Sequence, residues 1–452
     1  PRELTAKPDG CAHAAICASS SASTRAIFAG RDDVIGIYFF SEAFVYDSPD
    51  SSRFAAWRKI HACTGKLLAN FKWNPEMPDS IKTVREAREL RAHTEPPRAG
   101  ILLANLGTPD RPDSAALRKY LREFLWDRRV VEVPRPIWWL ILNLIIVPFR
   151  SPRSAEAYRR VWTERGSPLL YHTRDLAGAM QHEFQRSQPQ VRVYPAMRYG
   201  SPGIAEALEQ ARMDNVQRLI VLPMYPQYSA TTTASVFDGL ASALKRVRWI
   251  PELRFVTHYH YDEAWVEAIA DRIRAHQEEH GRPEKLLFSF HGIPKKYLLK
   301  GDPYYCECQS SARRIAARLK LAPDAWQVTF QSRLGREEWL KPYTDETLLG
   351  LAGAGVKHVQ VVCPGFSVDC LETIDEIGVE NREAFEQAGG DRLEYIPALN
   401  AEPDHARVLA DLCWRHGQGW PEFSRQAAIS EDTLAERARR AETSARSLGL
   451  EG

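Results

Sequence analysis

Two groups of residues in this chain have the chemistry of a reaction site. The first is a single imidazole. Leu286-Leu287-Phe288-Ser289-Phe290 reads as a strand, and it stops on His291 just before a Gly292-Ile293-Pro294 break. A histidine there is either a core residue satisfied by a backbone carbonyl or a proton acceptor placed where the chain opens onto a cleft. The second group is a row of carboxylates in SVDCLETIDEIGVENREAF. On an α-helix, Asp369, Glu372, Glu376, Glu380 and Glu383 fall within roughly 80° of one another, with Leu371, Ile374, Ile377 and Phe385 opposite. Neither Glu372 nor Glu376 is followed by Lys or Arg four residues on, so like charges repel along the row. Such a row is a solvated acidic face or a track for a divalent cation. A further pair, His258-x-His260, puts two imidazoles on one side of a strand, but no third ligand is evident.

The elements that must position these groups follow an alternating rhythm from Gly100 onward. Short runs such as GILLANLG, VRVYPAMRYG, QRLIVLPMYPQYS, ELRFVTHYH, KLLFSFHGIP, WQVTFQSRLG, KHVQVVCPGFSVD and RLEYIPALN are separated by amphipathic helical stretches. Continuous apolar strands alternating with helices imply parallel sheets covered on both faces, here two doubly wound α/β domains. Ligands bind such sheets outside the carboxyl ends of the strands. Asn105, Arg198, Tyr228, His291, Gln331 and Asp369 collect at those ends. His291 and Glu372 are then able to reach one cleft, an arrangement suited to proton abstraction, divalent-metal handling or both. There is no GxGxxG in a strand-to-helix context and no GxxxxGK[ST], which argues against a nucleotide site.

Composition narrows the class. At 452 residues the chain exceeds one ordinary core, and its 44% apolar and 26% charged content is that of a globular protein. A net charge of +2 gives no reason to expect nucleic acid. Eight scattered cysteines make no disulfide framework, which points to a reducing compartment. IWWLILNLIIV (137–147) is too short for the ~20 residues a membrane span needs. It reads as a buried core helix, an interfacial helix or a hydrophobic lip beside a site for an apolar ligand. The expected organisation is an N-terminal extension over 1–97 that packs poorly, α/β domains at 98–250 and 251–417, and a charged helical tail at 418–452. The Ala/Ser-rich start of the extension lacks the apolar core of a signal peptide.

FSFHGIP, KGDPYYCECQ, FQSRLGREEWLKPYTDETL and PGFSVDCLETIDEI together resemble the ferrochelatase family, proteobacterial type, and LLANLGTPD, YRRVWTERGSPL, MRYGSP and YPQYSATTT fit it upstream in the same order. The resemblance covers about 100–415. It implies two similar doubly wound domains, each with a four-stranded parallel sheet flanked by helices, and a porphyrin in the cleft between them. It implies an enzyme that inserts Fe2+ into protoporphyrin IX with release of two protons. By this likeness His291 and Glu372 are the catalytic pair, and Glu376 and Glu380 extend an acidic metal path. Leu106, Tyr158, Arg198, Tyr199 and Trp339 match porphyrin-contacting positions, and Arg150 and Arg153 fall where basic residues meet the propionates.

This chain departs from the family in two places. Cys370 stands where many members have a histidine. Ala230 stands where some carry a cysteine of a [2Fe–2S] cluster, and the tail beyond Gly417 has no cysteine, so no cluster and no other cofactor is expected. The expected enzyme is a cytoplasmic monomer, with peripheral contact to the inner membrane through 137–147. Rival readings are a sirohydrochlorin–cobalt chelatase, a coproporphyrin enzyme, and a haem-binding or delivery protein on the same scaffold.

Overall fold

Strands form where the chain carries unbroken apolar runs. The structure, a computed structural model, describes residues 96–333, 335, 337–424 and 431–447. The expected extension over 1–97 therefore lies almost wholly outside the described residues. One parallel sheet contains β1 (Arg98–Gly107), β2 (Val191–Tyr199), β3 (Val216–Pro223) and β4 (Glu252–Phe255), in the order β2-β1-β3-β4. The second contains β5 (Lys285–His291), β6 (Trp326–Gln331), β7 (His358–Val362) and β8 (Arg392–Ile396), in the order β6-β5-β7-β8. The two orders are the same pattern repeated, as expected for two similar doubly wound units. In each sheet the chain turns one way from its first strand and then the other, so a crevice opens at the carboxyl end of β1 and of β5.

Successive side chains of a strand point to opposite faces, and along β1, β5 and β7 both faces are buried. Ile101 and Leu103 of β1 face the same apolar cluster as Phe288 and Phe290 of β5. Leu102 and Ala104 face a second cluster on the other side of the first sheet, and Leu287, Val359, Val361 and Leu393 face a third beyond the second sheet. The largest cluster thus joins both sheets into one core. Fully burying each Leu, Ile, Val or Phe of such a core contributes about 1.5–3 kcal/mol. Two of the helices start on a side-chain cap. Asp113 accepts from the Ala115 and Ala116 amides at the head of Ser114–Trp126, and Asp262 accepts from Ala264 and Trp265 at the head of Glu263–His280.

The expected boundaries need correction at two points. β4 lies past residue 250 and hydrogen-bonds to β3, so the first sheet ends later than the 250/251 division. Trp420 and Phe423 are buried in the shared core, so packed structure runs past Gly417 into the tail, whose helix spans Glu431–Ser447. The strand expected to carry His258 and His260 also stops early, at Phe255, and leaves both on a loop.

Residues 135–161 are helical throughout, with a wide-turn segment at Leu142–Ile146 between Arg135–Ile141 and Val147–Val161. Trp138, Leu142 and Val147 pack inward with Leu125, and Trp138 Nε1 donates to the Leu125 carbonyl at 2.7 Å. Ile137, Trp139, Leu140, Leu144, Ile145 and Phe149 point out, each more than half exposed. This is not a buried core helix. Among the described residues no helix is long and apolar enough to cross a membrane.

Candidate active site

His291 closes β5 at the crevice of the second sheet and is half-buried. Its Nδ1 lies 2.7 Å from the Gly292 carbonyl oxygen. A carbonyl only accepts, so Nδ1 carries the proton, and in the neutral ring Nε2 keeps its lone pair. The turn that makes this possible needs glycine: a Cβ on Gly292 would stand 2.9 Å from the Gln331 carbonyl and 3.1 Å from the Trp339 ring. Trp339 is half-buried beside the imidazole, with ring centroids 6.5 Å apart.

The acidic helix is tied to this strand end through Gln331, by the Glu372 backbone and the Glu376 carboxylate. This residue is the register partner of His291 across β5 and β6. Its Nε2 donates to the Glu372 carbonyl at 2.9 Å and approaches Glu376 Oε2 at 3.5 Å. Ser332, next in the chain and held at φ 65°, donates its amide to Glu376 Oε1 at 2.7 Å and its hydroxyl to Oε2. Non-glycine backbone in the left-handed region is strained, and here the strain aims two donors at one carboxylate. Burial pushes the Glu376 carboxyl up. Ser332 and the nearby His291 draw it back, and the Glu372 charge adds to the rise.

The acidic helix differs from the regular α-helix read from the sequence. It begins at Glu372, runs as a wide i→i+5 helix to Asn381 and becomes α-helical over Arg382–Gln387. Such insertions recur at functional sites because they re-aim side chains. Asp369 precedes the helix and is a buried anchor, accepting from Tyr395 Oη, Thr373 Oγ1 and Asn400 Nδ2. Nor is the row unpaired. Arg160, from the helix Val147–Val161, makes a two-pronged ion pair with buried Asp375 at 2.7 and 2.6 Å and also reaches exposed Glu380 at 3.0 Å. The reading along one helix missed this cation because it lies 215 residues away in sequence.

Leu106 and Tyr158 line a pocket with Gly107, Thr108, Tyr120 and Glu372 at the crevice of the first sheet. Burial pushes the Tyr120 and Tyr158 phenols up, with the Glu372 charge adding to it, so both stay neutral donors. Tyr120 and Thr108 were not singled out in the sequence. Arg198 and Tyr199 do not line this pocket. The Arg198 guanidinium pairs with Asp127 at 2.6 Å, and Tyr199, fully buried, donates to the same carboxylate at 2.8 Å. Their visible role is to fix the Asp127 loop. Arg150 and Arg153 are exposed, one helical turn apart, and neither has an ion-pair partner among the described residues. Two unpaired cations on one face suit a dianionic ligand edge.

Glu376 gives a test by pH. A carboxyl with a folded pKa above its unfolded value of about 4.3 contributes stability that is fully present below that pH. That contribution is lost as pH rises through the folded value. Glu376→Gln removes the loss. Urea unfolding from pH 4 to pH 7 should show the variant gaining progressively on the parent as pH rises; a gap moving the other way would refute the assignment.

Comparison with other proteins follows the same boundaries as the two sheets. A family model described as Ferrochelatase matches residues 98–417. A protein named Ferrochelatase from Marinobacter nauticus is 54% identical over 352 residues, covering 77% of this chain and 95% of the relative. One from Idiomarina loihiensis is 56% identical over 330 residues, covering 73% and 91%. Among solved structures, SirB from Bacillus subtilis with Fe3+ aligns over 71% of this chain and 98% of that one, with a TM-score of 0.40 and 12% identity. The family match takes in both sheets, His291 and the whole acidic helix: the chain belongs to the ferrochelatase family, enzymes that insert iron into a porphyrin in haem biosynthesis.

Proposed function

We propose that the porphyrin is protoporphyrin IX and that His291 and Glu372 act on opposite sides of it. The observation that carries this is the Nδ1 bond to the Gly292 carbonyl, which presents Nε2 as a base. Insertion exchanges two pyrrole protons for one Fe2+, so charge balances only if both protons leave. His291 Nε2 accepts a pyrrole proton at one face. Glu376, with its raised affinity for a proton, relays protons outward from Glu372. Exposed Glu380 is the solvent end of this file, and Arg160 holds it in line. Leu106, Tyr158 and Trp339 provide the apolar and aromatic walls that a flat macrocycle needs.

Arg150 and Arg153 match the two propionates of protoporphyrin. This favours it over coproporphyrin, whose four carboxylates need more cations. Iron is substrate in this reading, which calls for no iron–sulfur cluster. Arg198 and Tyr199 support the wall through Asp127 instead of touching the ring.

The outward apolar face of 135–149 fits peripheral membrane contact of a cytoplasmic monomer, where an apolar substrate would enter. Removing even one buried Leu or Phe contact costs roughly 1.5–3 kcal/mol, or more than tenfold. Leu144→Glu with Phe149→Glu should lower partitioning onto zwitterionic vesicles at least about tenfold in flotation. Unchanged partitioning would dismiss the lip.

Substitution of the base separates an enzyme from a mere carrier. His291→Ala should cut anaerobic Fe2+ insertion by at least ~10²-fold while protoporphyrin still binds, read as fluorescence change without metal. An active His291→Ala protein would end this reading. A parent protein that binds porphyrin without inserting iron would favour the delivery role.

A further inference from the structure

His258 and His260 lie on the loop after β4, at the carboxyl edge of the first sheet. The third ligand that the sequence did not reveal comes from the other half of the molecule. It is Glu307, in the first turn of the helix Tyr304–Arg318. His258 Nδ1 stands 2.9 Å from Glu307 Oε1, and His260 Nδ1 stands 3.1 Å from Oε2. One ligand atom from each residue falls within 4.8 Å of the other two, and among the described residues no other such group of His, Cys, Asp or Glu occurs. Two ligand atoms bound at ~2.05 Å to a tetrahedral ion stand roughly 3.3 Å apart, so each imidazole–carboxylate spacing is near that of neighbouring ligands on one ion.

Several observations distinguish this cluster from an ordinary ion pair. His260 is buried, and its Nδ1 has no hydrogen bond of acceptable direction despite its approach to Glu307. A buried polar atom left so carries a desolvation cost that a bond to a metal would remove. Glu307 is also buried, and the Tyr228 amide donates to its Oε2 at 2.6 Å, fixing the carboxylate as outer partners do in metal centres. The imidazole planes are 89° apart, so both rings turn a nitrogen to the carboxylate without stacking. The side chain of His258 is 35% exposed and leaves a way in.

We propose that His258, His260 and Glu307 form a second metal site, built from none of the cleft residues, for a first-row divalent ion of the Zn2+ class. Two imidazoles and one carboxylate with a fourth position open make the donor set that Zn2+ takes. The nitrogen donors disfavour Ca2+ and Mg2+, which prefer oxygen. A metal here pins the loop after β4 to the helix that follows β5 and so ties the two sheets together at their carboxyl edges. This site stands whether or not the roles given to His291 and Glu372 are right.

The test uses the full-length protein carrying His291→Ala, which weakens metal binding in the cleft, stripped by a chelator and titrated with Zn2+ against a chromogenic competitor. It should retain one tight equivalent, and its apparent unfolding temperature should rise by about 3 °C or more with Zn2+. Adding His258→Ala or Glu307→Gln should lower that affinity at least ~10-fold and remove the thermal shift, with circular dichroism unchanged. Anomalous diffraction from Zn2+-soaked crystals of the unsubstituted protein should place a peak between both Nδ1 atoms and Glu307, and it decides the matter if a variant misfolds. No tight equivalent, an equivalent indifferent to both substitutions, or no peak would overturn the proposal.

Discussion

The side-chain amide of Gln331 stands between the base and the acids of the site and fixes both. Its Nε2 must donate to the Glu372 carbonyl, because that oxygen has nothing to give. This orientation leaves Oε1 to accept from Ser289 Oγ at 2.7 Å and Cys363 Sγ at 3.4 Å. One buried amide therefore ties β5, the end of β6 and the residue after β7 to the first turn of the acidic helix. Leaving any of these buried groups unpaired costs about 1–3 kcal/mol. The larger consequence is geometric, since His291, the register partner of Gln331, keeps its place relative to Glu372 only while that amide is satisfied on both sides.

The repeated strand order explains why the cleft has two unlike walls. At the end of β1 the chain provides Leu106, Gly107 and Thr108, backed by neutral Tyr120 and Tyr158. At the end of β5 it provides an imidazole and, across the switch in strand order, a file of carboxylates. The first wall is apolar with a few hydrogen-bond donors; the second is lined by titratable and acidic groups. Glu372 belongs to both, lining the pocket of the first sheet while its carbonyl is held by the second. The wide-turn helix and the strained Ser332 are local departures from regular backbone, and both serve the carboxylates.

Much of this was legible in the sequence, for identifiable reasons. Unbroken apolar runs gave the eight parallel strands, and the Gly292-x-Pro294 break gave the position of His291 at a strand end. The acidic row pointed to Glu372 and Glu376, and the structure sets both against Gln331 at the end of β6. What stayed hidden depends on contacts between distant segments. Arg160 pairs with Asp375 and Glu380 from another helix, Glu307 meets His258 and His260 across the sheets, and Asp127 claims Arg198 and Tyr199. Periodicity reports which face of an element is buried, but not which charge arrives from elsewhere to meet it. The early end of β4 and the burial of Trp420 and Phe423 escaped for the same reason, since tertiary packing decided both.

In the proposed reading the lone pair on His291 Nε2 and the carboxylate of Glu372 face one flat cavity from opposite sides. Diffraction from crystals soaked with metal-free protoporphyrin IX tests it most directly. The expected result is a macrocycle lying between the two side chains, with Nε2 nearest the pyrrole nitrogens and Nδ1 still on the Gly292 carbonyl. A ring bound elsewhere, or an imidazole turned so that Nε2 faces away from it, would contradict the account.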